Sequence, residues 1–275
     1  MMTPQINCPQ LWRDALPTLD TNANKYSRGH AVVFGGYPQT GAARMAARAA
    51  ARIGAGLTTI AVSSTALPIY AAALESIIVR SISATTELDE ILSDQRVTAL
   101  LIGPGAGVDQ TTRDSVLRLL DSGKPVVLDA DALTVFQDEP QELFNAIKHP
   151  CVLTPHDGEF ARIFSSSGTR ENQVQMAAHD SHAVVVLKGS QTLIAADNSE
   201  LIVNTNAPPT LATAGSGDVL AGMILGLLAQ GMQPQLASAA AVWMHARAAE
   251  IFGRGLIAED LPDLLPMVWR ELDAS

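Results

Sequence analysis

Ala212-Thr213-Ala214-Gly215-Ser216-Gly217-Asp218 leads without a break into the apolar run Val219 to Leu228. Small residues and a carboxylate directly before a helix make an anion-binding turn. The first N–H groups of a helix have no internal partner, and the helix dipole adds positive potential there. Gly215 and Gly217 let the backbone approach a phosphate closely and turn freely. Asp218 conflicts with that role, since a bound phosphate repels a carboxylate. The conflict makes sense where the carboxylate does chemistry, such as taking a proton from a hydroxyl that attacks the phosphate.

Working outward from this turn, short apolar runs alternate with Ala-rich helical stretches. Strands are expected at Ala31–Phe34, Leu57–Val62, Ile77–Val79, Ala99–Ile102, Val126–Leu128, Cys151–Leu153 and Val184–Leu187. Most are continuously apolar, as in parallel strands buried on both faces. Thr192–Ala195 and Leu201–Asn204 flank Ala196-Asp197-Asn198-Ser199-Glu200, a hairpin. Helices are expected at Gly41–Ile53, Thr111–Asp121, Gln141–Ile147, Asn172–His179, Asp218–Gln230 and Leu236–Phe252, with Asp260–Leu272 interrupted by Pro262 and Pro266. Strand–helix alternation predicts an α/β fold, a mostly parallel sheet covered by helices in three layers. Residues 1 to about 25 read as an irregular arm carrying Pro4, Pro9 and Pro17, and the whole of 1–275 reads as a single domain. Arg44, Arg48 and Arg52 share one face of the first helix, as a solvated stripe or a subunit contact. Its remaining alanines allow close packing on the sheet.

Ligands of open α/β sheets bind beyond the carboxyl ends of the strands. Five expected strands end in polar or glycine groups: Gly35-Gly36 through Gly41-Ala42, Gly103-Pro104-Gly105-Ala106-Gly107, Asp129-Ala130-Asp131, Thr154-Pro155-His156-Asp157-Gly158-Glu159, and Lys188-Gly189-Ser190-Gln191-Thr192. Each has an ordinary reading too: tight turns for the glycines, helix-capping and loop-stabilising roles for Asp129 and Asp131, a surface position for Lys188, and a plain hydrogen-bonded role for His156 and, more so, for His245 within a helix. Their joint placement on one rim favours a site.

Composition narrows the class. A net charge of −10 argues against nucleic acid. Hydrophobic residues make up 47% of the chain and aromatics only 4%, so the core is aliphatic. Cys8 and Cys151 form no metal or redox pattern, which fits a reducing cytoplasm. The start lacks a signal-type segment, and Val219 to Leu228 is too short to span a bilayer, so no membrane association is expected. The G-x-G-x-x-G fingerprint, the P-loop and the H-E-x-x-H zinc motif are all absent.

As a set, these segments resemble the ribokinase-like superfamily and, within it, the NAD(P)H-hydrate dehydratases. The resemblance is carried by Gly29-His30, Gly41-Ala42-Ala43, Arg52-Ile53-Gly54-Ala55-Gly56-Leu57, Gly103-Pro104-Gly105, Leu128-Asp129-Ala130-Asp131-Ala132-Leu133, Leu153-Thr154-Pro155-His156 with Gly158-Glu159, Leu187-Lys188-Gly189, and Ala212-Thr213 with Gly215 to Gly222. They span about residues 25 to 270. Sugar kinases of the superfamily carry N-x-x-E where this chain has His156-Asp157-Gly158-Glu159, and the dehydratases carry His there. Two segments depart from the family: Asn206-Ala207-Pro208-Pro209-Thr210-Leu211 before the anion turn, and the loop Tyr37-Pro38-Gln39-Thr40.

The resemblance implies an ADP- or ATP-dependent dehydratase of (S)-NADHX and NADPHX, the C6-hydrated forms of NADH and NADPH. Phosphorylation would convert the hydroxyl into a leaving phosphate. It implies Asp218 as base and substrate contact, with Ala42, Gly105 and His156 also at the substrate. Lys188, Gly189, Ser190, Gln191, Thr192, Gly215, Ser216 and Gly217 would hold the adenine nucleotide, and Glu159 would serve Mg²⁺ through water. A cytoplasmic homo-oligomer is expected. A separate epimerase would act alongside, since the 25 leading residues are too few for the fused one common in the family. The competing readings are a vitamin-precursor kinase with the same Asp218 and anion turn, and a catalytically idle nucleotide sensor.

Overall fold

The computed structural model describes residues 4–18, 21–165 and 167–274. Ten strands form one sheet: β1 (Gln5–Ile6), β2 (His30–Phe34), β3 (Leu57–Val62), β4 (Ile78–Ser81), β5 (Ala99–Ile102), β6 (Val126–Leu128), β7 (Cys151–Leu153), β8 (Val184–Leu187), β9 (Thr192–Ala195) and β10 (Ile202–Asn204). Their order is β1-β10-β9-β8-β7-β6-β5-β2-β3-β4. Only β9 is antiparallel to its neighbours, as the hairpin motif requires.

Alternate strand residues serve two cores, which is why these strands read as continuously apolar. Val33, Leu101, Val127, Val152 and Val186 face one layer, built from helices Gly41–Arg52, Ser216–Ala229, Pro234–Phe252 and Leu261–Ala274. Val32, Leu100, Leu128, Leu153 and Val185 face the other, where Thr85–Ser93, Gln110–Asp121, Pro140–Ala146 and Arg170–Ser181 pack. The result is the three-layer, mostly parallel fold expected from the strand–helix alternation.

Several expectations need correction. The alanines of Gly41–Arg52 pack on β2 and β3 as expected, and still more closely on helix Ser216–Ala229. A Cβ on Gly222 would stand 2.1 Å from the Ala46 carbonyl oxygen, and one on Gly226 would stand 2.2 Å from Ile53 Cγ2. Glycine at these two positions is what lets the helix backbones approach. Arg48 and Arg52 both pair with Asp263 of Leu261–Ala274, so that part of the arginine stripe ties two helices together. That last helix is continuous through Pro262 and Pro266. Pro262 sits in the first turn, where an N–H lacks an intrahelical partner anyway. Burial of Leu261, Leu265, Val268 and Leu272 holds the turn that contains Pro266.

The N-terminal segment is also more ordered than expected. β1 pairs in parallel with β10. Trp12 is buried against Trp243, with ring centroids 5.8 Å apart.

Register sets up the rim. Ile102, Leu128 and Leu153 stand side by side across β5, β6 and β7. The residues that follow, Gly103, Asp129 and Thr154, therefore leave the sheet together. Between β2 and β5 the strand order reverses direction, the position where open α/β sheets bind ligands.

Candidate functional site

Gly215 takes a left-handed conformation, φ 88°, immediately before helix Ser216–Ala229. A side chain there would be strained and would also strike Met45 Cε at 2.4 Å. Gly217 is different. It lies inside the helix, and its role is space: an added Cβ would stand 3.2 Å from the Lys188 ammonium. The free turning expected of both glycines thus belongs to Gly215 alone. The Ser216 N–H is directed at the Thr213 carbonyl at 3.3 Å, and Val219 N–H at the Gly215 carbonyl at 3.1 Å.

Asp218 occupies the first turn of this helix, facing a cluster of charge. Lys188, directly after β8, donates from Nζ to Asp129 Oδ1 at 2.7 Å. Asp129 is 1% exposed and accepts a second bond from Thr154 Oγ1 at 2.8 Å. Glu159 Oε2 lies 4.0 Å from the same ammonium. Burial alone would lower the Lys188 pKa, but Asp129, Glu159 and Asp218 outweigh it and hold it above its ordinary value. Burial raises Asp218, helped by Asp129, Glu159 and Asp131 and opposed by Lys188, to about 6. Asp131 in turn accepts the Gly107 N–H at 2.9 Å, linking the β5 and β6 loops. The loop-stabilising reading of Asp131 therefore holds, while Asp129 is taken up by an ion pair rather than a cap.

Beside this cluster a cavity of about 720 Å³ opens. Lys188, Gly189, Ser190, Thr192, Ser216, Gly217 and His156 all line it. Gln191, Gly215 and Asp218 do not; the Gln191 carbonyl accepts from Arg170 Nη1 at 3.0 Å. Pro208, Pro209, Asn204 and His245 complete the wall. Ala42, the second residue of helix Gly41–Arg52, and Gly105, on the loop after β5, lie outside this cavity, beside the reversal of strand order. The loops after β2 and β5 flank that reversal. Those loops interlock, since a Cβ on Gly36 would stand 1.6 Å from the Gly105 carbonyl oxygen. The rim thus has two halves, a cavity beyond β7–β10 lined by Lys188 and a crevice at β2/β5 whose β5 loop is held by Asp131 through Gly107.

His156 caps helix Asp157–Ile163. Its Nδ1 accepts the Gly158 and Glu159 N–H groups at 2.9 and 3.2 Å. Glu159 Oε2 in turn accepts the His156 N–H at 2.9 Å. The ordinary hydrogen-bonded role of His156 is therefore real, and its ring, 56% exposed, still faces the cavity. Among the described residues no three His, Cys, Asp or Glu side chains converge to hold a metal ion. Asp129 and Glu159 place carboxylate oxygens 2.7 and 4.0 Å from the Lys188 ammonium, the oxygen donor type that Mg²⁺ takes together with water and phosphates.

A family model for NAD(P)H-hydrate dehydratase matches residues 31–265. The chain belongs to the NAD(P)H-hydrate dehydratase family. A bifunctional NAD(P)H-hydrate repair enzyme of Salinibacter ruber is 39% identical over 93% of this chain and 51% of its own length. The ADP-dependent (S)-NAD(P)H-hydrate dehydratase of Bacillus subtilis is 31% identical over 95% of this chain and 96% of its own. A solved structure of the ADP/ATP-dependent NAD(P)H-hydrate dehydratase from Bacillus subtilis, co-crystallised with ATP/Mg²⁺, superimposes with a TM-score of 0.84 at 30% identity, covering 99% of this chain and all of that one. The chain spans about half the length of the bifunctional relatives it matches. The ribokinase-like fold class follows from the same likeness. Family membership matches the motif set read from the sequence, and Ala207, Pro208 and Pro209, in the stretch expected to depart from the family pattern, line the cavity.

Sequence reasoning undervalued two groups. Asp129 stood among the strand-end candidates without an assigned role, because its partner Lys188 is 59 residues away. His245 was set aside as an ordinary helical residue, yet it is 6% exposed and lines the cavity. Nothing in its local sequence signals this, since only packing brings helix Pro234–Phe252 beside the anion turn.

Proposed function

We propose that this chain is an ADP-dependent (S)-NAD(P)H-hydrate dehydratase, converting (S)-NADHX or NADPHX to NADH or NADPH with release of AMP and phosphate. The observation that carries the reading is Asp218, raised to about 6 at the head of a helix whose first turn borders the cavity. A carboxylate with that value is largely ionised at neutral pH yet basic enough to accept a proton in a transition state. The names of the full-length relatives supply the substrate class.

In this proposal the adenine nucleotide occupies the cavity beyond β7–β10, with Lys188–Thr192 and Gly215–Gly217 around its phosphates. The hydrated nicotinamide lies toward Ala42, Gly105 and His156. Asp218 removes the proton of the C6 hydroxyl as that oxygen attacks the terminal phosphoryl group of ADP. AMP departs, the ring-nitrogen lone pair expels the new phosphate to leave an N1–C6 iminium, and loss of one C5 proton to the departing phosphate restores the C5–C6 double bond of the dihydronicotinamide. Lys188 stays fixed to Asp129 and offsets the negative charge gathered around Asp218. Glu159, committed to the His156 cap, would reach Mg²⁺ only through water. When bound, Mg²⁺ would neutralise phosphate charge as phosphoryl transfer proceeds. A cytoplasmic homo-oligomer working with a separate epimerase completes the proposal. The bifunctional repair enzymes among the relatives support that pairing.

The test is incubation with (S)-NADHX, Mg²⁺ and ADP or ATP while following dihydronicotinamide absorbance. Recovery of that absorbance, with ADP preferred, supports the proposal. Accumulation of a phosphorylated alcohol without recovery would mark a kinase. Nucleotide binding without turnover of any substrate would mark a sensor.

A further inference from the structure

We infer that His245 is a positioning residue for the nucleotide site, acting through Ser216. The inference rests on the cavity being the nucleotide pocket, as proposed above. His245 Nε2 lies 3.4 Å from Ser216 Oγ, and both residues line the cavity. Ser216 is the first residue of the helix that carries Gly217 and Asp218, so a tie to its hydroxyl fixes the start of that helix relative to Pro234–Phe252. Ser216 and His245 are 7% and 6% exposed, so the contact is shielded from water and the loss of either partner leaves a buried polar group unsatisfied.

The chemistry of the ring suits the position. Burial keeps the imidazole uncharged, with Lys188 acting in the same direction and the Ser216 backbone bond against it. A neutral ring can hold the serine hydroxyl without adding a charge that would compete with Lys188 for the phosphates. A hydrophobic residue of similar size would fill the space but leave Ser216 Oγ without this partner, and the first turn would lose a tether.

The experiment is a double-mutant cycle read by calorimetric ADP affinity, with thermal melting as the folding control. His245→Leu and Ser216→Ala should each raise the ADP Kd about three- to tenfold, the range set by one net hydrogen bond. His245→Gln places an amide nitrogen near the Nε2 position and should stay within about twofold of wild type. The double variant His245→Leu/Ser216→Ala should bind no worse than either single variant, because one interaction has been removed twice. Additive losses, or equal losses in His245→Leu and His245→Gln, would overturn the inference. Should His245→Leu fail to fold, Ser216→Ala against Ser216→Ala/His245→Gln closes the cycle: a further loss in the double variant overturns the inference, and no further loss supports it. If wild-type protein itself does not bind ADP, the nucleotide-site reading fails, and this inference with it.

Discussion

Asp218→Asn should abolish turnover and stabilise the fold at once. The amide has nearly the shape of the carboxylate but cannot take a proton, and removing a general base typically costs about 10²- to 10⁴-fold in rate. The stability effect has the opposite sign. Burial and the neighbouring carboxylates raise the folded-state pKa of Asp218 from 3.8 to about 6, so folding disfavours its ionised form. Linkage makes this contribution favourable below the unfolded value, and it is lost as pH rises through the folded value. Ionisation of Asp218 therefore weighs against the fold at neutral pH. A shift of about two units corresponds to at most about 3 kcal/mol, and partial exposure reduces this to about 1–2 kcal/mol. For a domain of this size that means a Tm higher by about 2–8 °C at pH 7.5. The gain should vanish below about pH 4, where wild-type Asp218 is protonated in both states. Calorimetric melts of both proteins at pH 4 and 7.5, beside a rate measurement at saturating nucleotide, decide it. A variant that keeps more than about a third of the wild-type rate, far above the losses typical of general-base removal, would eliminate Asp218 as the base. A Tm unchanged at pH 7.5 would refute the electrostatic account of its environment.

Three further perturbations probe the same site. Asp129→Ala leaves the Lys188 ammonium buried without its main partner and should cost about 3–5 kcal/mol in urea unfolding, against about 1 kcal/mol or less if the pair were a surface one. Gly217→Val places branched carbons against the Lys188 ammonium and the cavity, and should weaken ADP binding at least about tenfold, with little change in Tm because the φ here is helical. His156→Ala should remove a helix cap worth about 1 kcal/mol and raise KM for the hydrated nicotinamide. His156→Asp restores the cap acceptor, so a KM defect that persists in it separates substrate contact from capping. If the defect instead falls on nucleotide KM and Mg²⁺ dependence, the substrate role of His156 is wrong.

The central strands were legible because a strand buried on both faces needs apolar residues throughout, and Leu57–Val62 or Val184–Leu187 offers no other plausible burial. The anion turn was legible because Gly215, Ser216, Gly217 and Asp218 are contiguous. β1 was not, since two residues carry no periodicity and only β10 gives them a partner. Helix Asp157–Ile163 was missed because its cap is a histidine rather than a usual hydroxyl or carboxyamide. Leu67–Ala73 and Thr85–Ser93 were missed as well, being too short for a clear apolar face. The contacts that define the site are the least visible in sequence. Asp129–Lys188 depends on β6, β7 and β8 lying in register, and His245–Ser216 on the packing of two helices.

The most direct measurement is a stopped assay of purified protein with (S)-NADHX, Mg²⁺ and ADP, following dihydronicotinamide absorbance together with the nucleotide and phosphate products. Wild-type protein should restore the absorbance with one AMP and one phosphate released per NADH formed, and Asp218→Asn should show neither. ADP consumption with no recovery of NADH, or recovery that persists in Asp218→Asn, would contradict a dehydratase that works through Asp218.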